Sequence, residues 1–182
     1  KDDYKSKLFN EFISERTKYI DEYIENKVNN GEIKNLIILG SGGDSRAHRL
    51  ESLKKIKIWE VDIPNIIKIK RTIVDEYCPN CNNVSYIECD LNKEYPDNLP
   101  TEDTLVLCEG LLFHLNNDSV ERILNKSNDF LGDFMIMKPP TEEFSTVISN
   151  PKEYIESLGF SEVKSNKIEG LFGTTIVSGK RI

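Results

Sequence analysis

Asn35-Leu36-Ile37-Ile38-Leu39-Gly40-Ser41-Gly42-Gly43-Asp44 is the stretch that decides the fold. Four aliphatic residues in a row make a short strand with no polar face, and such strands are buried on both sides in a parallel sheet. The run ends directly in glycines, which let the backbone turn tightly and approach a ligand with no Cβ in the way. A helix is expected to resume after Asp44, through Leu50 and Leu53. Strand, glycine turn and helix open an α/β doubly wound sheet, whose ligands lie outside the carboxyl ends of the strands.

The flanking segments continue that alternation. Residues 4 to 28 place Leu8, Phe9, Phe12, Ile13, Ile20, Tyr23, Ile24 and Val28 at spacings of three and four, an amphipathic helix closed by Asn30-Gly31. Ile56 to Val61 reads as strand two, and Pro64 then starts a helix through Ile66, Ile67, Ile69, Ile73 and Val74. Val84 to Cys89 and Thr104 to Cys108 are strands three and four, and Asn117 or Asp118 caps a helix carrying Val120, Ile123 and Leu124. Phe134 to Met137 reads as strand five, closed by Pro139-Pro140, and Asn150-Pro151 opens a helix that Gly159 closes. Glu162 to Ser165 and Thr174 to Ser178 are strands with no helix between them, so they pair antiparallel. The expectation is a Rossmann-like, doubly wound, seven-stranded sheet, mostly parallel with an antiparallel C-terminal strand pair. No repeat or linker interrupts it, so residues 1–182 read as one domain, with residues 1–31 as an N-terminal helix forming a short lid.

Composition narrows the function classes. The chain has 182 residues, and 24 Lys+Arg against 31 Asp+Glu give a net charge of −7. A polyanion wants a basic face, so nucleic acid is not an expected partner. No aliphatic run approaches the ~20 residues that span a bilayer, and no charged-then-apolar leader opens the chain. The expectation is no membrane association and a cytoplasmic location. Cys78-Pro79-Asn80-Cys81 has the spacing of a zinc knuckle or redox pair. No second pair or His cluster follows, and the pair comes after a helix rather than opening one, so reduced thiols and no metal are expected.

Chemistry is sought where the strands end. After strand two, Glu60 and Asp62 share a face by the period of two, and a carboxylate there can take both hydroxyls of a ribose. Asp90-Leu91 follows strand three and Glu109-Gly110 follows strand four. Each acid alone is more often a helix cap than a ligand, yet here they arrive in order around one crevice. A dinucleotide would place its pyrophosphate at the helix after the first strand. There Asp44 opposes it, and Ser45 stands where the third glycine of GxGxxG would fall. An acidic crevice suits a nucleoside carrying positive charge, such as S-adenosylmethionine with its sulfonium and ammonium groups.

The segment from Asn35 through Asp44-Ser45-Arg46-Ala47-His48-Arg49-Leu50 resembles the LGxGxDTRxxRL motif of the leucine carboxyl methyltransferase family. That family includes bacterial O-methyltransferases of polyketide pathways. The likeness continues in Trp59-Glu60-Val61-Asp62-Ile63-Pro64 with Lys70-Arg71, in Cys89-Asp90-Leu91 and in Glu109-Gly110-Leu111-Leu112-Phe113-His114-Leu115. Upstream, Arg16-Thr17-Lys18-Tyr19-Ile20-Asp21 resembles the family's RTxxxD helix. The resemblance implies that Arg16 pairs with the cofactor's carboxylate and that Gly40, Ser41 and Gly42 line its methionine side. It implies further that Asp62 and the adjoining Ile63 hold the ribose side. Asp90 would accept from the adenine amino group, the Leu91 amide would donate to the ring, and Glu109 would sit near the methionine ammonium. Asp44 and Arg46 would order the loop.

Ser45 replaces the family's threonine, and His114 stands where tyrosine is common. The helical region before strand one and the segment from Pro139 to Asn150 are both short by family standards. A homodimer, or a carrier-bound or peptide-bound acidic substrate, would then cover the site. Methyl transfer is an in-line displacement that mainly needs positioning. A carboxylate nucleophile needs no base, and no base is assigned here, which favours an acidic oxygen on a small-molecule or carrier-bound substrate. A non-catalytic binder of the same cofactor and an NAD-dependent oxidoreductase are the alternatives from other classes.

Overall fold

The computed structural model describes residues 2–78, 82–135, 145–168 and 174–181. In chain order these form α1 (Asp2–Asn29), β1 (Asn35–Leu39), α2 (Arg46–Arg49), β2 (Lys57–Asp62), α3 (Pro64–Tyr77), β3 (Val84–Glu88), β4 (Thr104–Cys108), α4 (Asn117–Lys126), β5 (Asp129–Met135), α5 (Pro151–Ser157), β6 (Ser161–Ile168) and β7 (Thr174–Lys180). The seven strands make one sheet in the order β3-β2-β1-β4-β5-β7-β6. Pairing is parallel from β3 to β5 and antiparallel for β5–β7 and β7–β6. This is the mostly parallel, doubly wound sheet with an antiparallel end that the alternation of elements predicts.

Strand periodicity explains the two cores. Ile37 and Leu39 of β1 point to one face, with Val106, Phe130 and Val177, where Val120, Ile123 and Leu124 of α4 and Ile155 of α5 cover them. Leu36 and Ile38 point to the other face, with Leu105, Leu107 and Ile176, under Phe12, Ile20, Ile24 and Val28 of α1. At roughly 1.5 to 3 kcal/mol per fully buried Leu or Ile side chain, these two layers dominate the stability.

Four expectations need correction. Strand five begins at Asp129, not Phe134. The helix after the glycine turn is only Arg46–Arg49 with a 3-10 turn over Glu51–Lys55, since Leu50 adopts an extended backbone between them. The cap of α4 is Asn116, whose side chain accepts from the Ser119 N–H, rather than Asn117 or Asp118. The second strand of the antiparallel pair, β7, runs on to Lys180, and β6 runs on to Ile168. Pro139-Pro140 and Cys81 lie outside the described residues.

Candidate functional site

The carboxyl ends of β1 and β4 meet the middle of α1 around a cavity of about 360 Å³. Arg16, Gly40, Ser41, Gly42 and Glu109 line it together, joined by Asp44, Arg46 and Arg49 among others. Gly40 takes φ +65°, and a Cβ there would lie 2.8 Å from Leu111, so the tight turn and the close packing both require glycine. The Ser41 side chain is buried and its hydroxyl has no hydrogen-bond partner among the described residues.

The walls are held by a chain of ion pairs. Arg16 Nε lies 2.9 Å from Glu109 Oε1, and its Nη1 donates to Asp133 Oδ2 at 3.0 Å. The other Glu109 oxygen pairs with Arg46 Nη1 at 2.5 Å. Arg46 donates from Nη1 and from its backbone N–H to the two oxygens of Asp44, and from Nε to Asp21 at 2.6 Å. Arg49 donates to the same Asp21 at 2.8 Å. Asp44 and Arg46 thus tie the glycine loop to α1.

Two sequence expectations change here. The lining carries three arginines against two acids, so the crevice is not simply acidic. Asp44 also spends both oxygens on Arg46 and presents no free charge to a pyrophosphate. What disfavours a dinucleotide is instead the four-residue α2, too short for the dipole and N–H cradle of a phosphate-binding helix.

Asp62 sits one bond away from the cavity. Its Oδ2 accepts from the Gly42 N–H at 2.8 Å and its Oδ1 from the Ile63 N–H at 2.7 Å, leaving one lone pair free on each oxygen. It does not cap α3, whose N-cap is Ile63 with no side-chain bond. Glu60, expected on the same face, is fully buried against Lys70 and does not reach the crevice. Ile63, Asp90 and Leu91 do not line the cavity; they follow the ends of the next two strands, β2 and β3. The Cys89 N–H donates to the Asp62 carbonyl at 2.8 Å, which brings the two ends together. Ile63 is exposed, Leu91 is buried, and Asp90 accepts from the Asn92 N–H and pairs with Lys93 at 2.8 Å. The Lys93 ammonium and that N–H hold the Asp90 carboxyl below the usual range.

Asp133 escapes the sequence reading. It is fully buried in β5, accepts from the Gly110 N–H at 2.7 Å, and braces Arg16 from behind. Burial raises its pKa against the pull of Arg16. The i+4 spacing of Asp129 and Asp133, on one face of a strand opposite the basic residues of α1, was the available signal.

The remaining reactive groups are quiet. Burial, then the carboxylates of Glu94 and Asp90, push the Cys89 thiol up to about 11, and full burial raises Cys108 well above its ordinary value. Neither is a thiolate at neutral pH. Burial and Lys70 lower His48, whose Nε2 lies 3.4 Å from the Tyr86 hydroxyl. His114 is exposed in the 3-10 turn Leu112–His114, its ring tilted against that of Phe113. Among the described residues no cluster could hold a metal, and no helix is long and apolar enough to cross a membrane.

Known proteins resemble this chain in sequence and in fold. The family model for leucine carboxyl methyltransferase matches residues 1–128. A protein of Mycobacteroides abscessus described as a "Putative S-adenosyl-L-methionine-dependent methyltransferase" is 34% identical over 122 residues, 63% of this chain and 40% of that protein. A similarly described protein of Streptomyces coelicolor is 29% identical over 117 residues, 60% of this chain and 41% of that one. The chain therefore spans about two fifths of the length of the curated relatives it matches. In fold it is similar to magnesium protoporphyrin IX methyltransferase from Synechocystis PCC 6803 with bound SAM, at a TM-score of 0.66 and 13% identity over 97% of this chain and 83% of that one. The S-adenosylmethionine-dependent methyltransferase SibL in its apo form gives a TM-score of 0.65 and 14% identity over 96% and 58%.

Proposed function

The chain belongs to the leucine carboxyl methyltransferase family, and on that premise we propose that it binds S-adenosylmethionine and transfers its methyl group to an acidic oxygen. A carboxylate on a small molecule, or on a carrier-bound or peptide-bound substrate, is the acceptor that this reading favours. The observation that carries it is the cavity between the glycine turn and Glu109, with Arg16 on its wall and the Asp62 carboxylate one hydrogen bond behind Gly42.

The residues fit the cofactor's chemistry. Arg16 spends only Nε and Nη1 on Glu109 and Asp133, so its Nη2 donors remain for a carboxylate. Glu109, though both its oxygens pair with arginines, keeps a lone pair on each to accept from an ammonium, and Asp62 keeps lone pairs for two ribose hydroxyls. The exposed Ile63 offers an apolar face to the base, with Asp90 beyond it. Bound there, the cofactor supplies a methyl group already activated by positive sulfur. The chain's own contribution is alignment, which can supply several kcal/mol of the barrier. No described histidine lies in the cavity lining, which suits a nucleophile that is already ionised at neutral pH.

Calorimetric titration with S-adenosylhomocysteine and with NAD tests the cofactor, with micromolar binding of the first and none of the second expected. Mass-spectrometric search for methylated carboxylates, phenols and carrier-bound acids then tests the reaction. Binding without any product would make the chain a holder of the cofactor rather than an enzyme.

A further inference from the structure

Two charged side chains grip opposite ends of one peptide unit in the glycine loop. The Ser41 carbonyl accepts from Lys70 Nζ at 3.3 Å, and the Gly42 N–H of the same peptide donates to Asp62 at 2.8 Å. Lys70 lies on α3 and is 7% exposed, and its ammonium pairs with Glu60 of β2, which is fully buried. The loop needs such a grip, because Gly42 at φ +38° sits in a region where glycine passes freely between conformers.

Stability alone does not account for Lys70. A buried ion pair is often no more stabilising than an apolar pair of the same volume. Leucine and methionine at 60 and 70 would fill the same space under the sheet face that already holds Ile38 and Ile58. What an apolar pair could not do is donate to the Ser41 carbonyl. We propose that Lys70 is a positioning residue of the cofactor site, which locks the Ser41–Gly42 peptide in the orientation that shapes the cavity, with Glu60 as its buried counter-charge. This rests on the cofactor reading above. Lys70 acts through the loop backbone, from behind the cavity wall, and touches no reacting group.

The test compares S-adenosylhomocysteine affinity, by calorimetry, with urea stability, by circular dichroism. The unaltered chain, Glu60→Gln, Lys70→Met and the double variant Glu60→Leu/Lys70→Met are measured. Glu60→Gln removes the counter-charge but keeps the lysine's donor on Ser41, so it should lose stability yet bind within about threefold of the unaltered chain. Lys70→Met leaves the buried Glu60 carboxyl without its partner and should lose both stability and at least tenfold in affinity. The double variant removes the orphaned carboxyl, so it should recover stability while its affinity stays at least tenfold weak. A double variant that binds within twofold of the unaltered chain would overturn the proposal, even if Lys70→Met alone does not fold. No heat with the unaltered chain would instead overturn the cofactor assignment, a distinct result because all the variants would then be equally silent.

Discussion

Glu109 is the residue on which the site turns, because its two oxygens belong to two different arginines on two different elements. Neutralising it leaves Arg16 with Asp133 and Arg46 with Asp44 and Asp21, so both arginines keep partners and the fold should hold. What changes is where Arg16 points. Glu109→Gln should therefore lower turnover more than it lowers cofactor affinity, since small misplacement at the methionine end is costly to rate. Single-turnover rates set against titrated affinities check this, and an equal loss in both would reduce Glu109 to a binding group. Asp62 carries a double load, as ribose acceptor and as anchor of the Gly42 N–H. Asp62→Ala should weaken cofactor binding by roughly 2 to 3 kcal/mol, the scale for removing a charged hydrogen-bond partner. Unchanged affinity in the folded variant would leave Asp62 as a loop tie and nothing more.

β5 shows how far the sequence could be read and where it stopped. The strands that lack charge, β1 and β4, are legible directly from their aliphatic runs, and so is the glycine turn between β1 and α2. In Asp129-Phe130-Leu131-Gly132-Asp133 the acids and the glycine look like breakers, yet the whole stretch is strand and buried. The acids are tolerated because α1 supplies their partners: Lys27 donates to Asp129 at 2.7 Å and Arg16 to Asp133 at 3.0 Å. Eleven helical residues rise about 16 Å and four strand residues about 13 Å, so one antiparallel crossing satisfies both pairs. The i+4 spacing shows that the two acids share a face but not which residues of α1 meet them, so the role of Asp133 is not legible from the strand alone. Gly132 has a similarly distant cause. A Cβ there would fall 2.4 Å from Cζ of the fully buried Phe130, whose ring packs on Phe134 and Phe160, and 3.2 Å from the Cys108 carbonyl. Gly132→Ala should destabilise the fold by about 1 to 3 kcal/mol, the usual cost of overpacking. Chemical denaturation would show it, and a neutral effect would mean that Phe130 has room to move.

Across the whole molecule, the sheet's buried carboxyls give the stability a definite slope with pH. Burial pushes the Glu60 carboxyl up to about 7, against the pull of Lys70, and raises Asp133 and Asp129 as well. A carboxyl whose pKa is higher in the folded chain than in the unfolded one holds its proton more tightly when folded. Between an unfolded value near 4.5 and a folded value near 7, the folded state then binds more protons, and stability falls as pH rises. Glu60 alone would contribute a fall of up to about 3 kcal/mol across that window. His48 works the other way: burial, then Lys70, lower its pKa, so the unfolded state takes up its proton first as pH drops below 6.5 and stability is gained as pH rises. The sum is therefore measured against a variant that removes one contribution. In urea unfolding at about pH 5 and about pH 7.5, the unaltered chain should lose more stability on the way up than Glu60→Gln does. Equal slopes in the two proteins would mean that Lys70 keeps Glu60 ionised throughout, and that the pair beneath the glycine loop holds one charge state at every working pH.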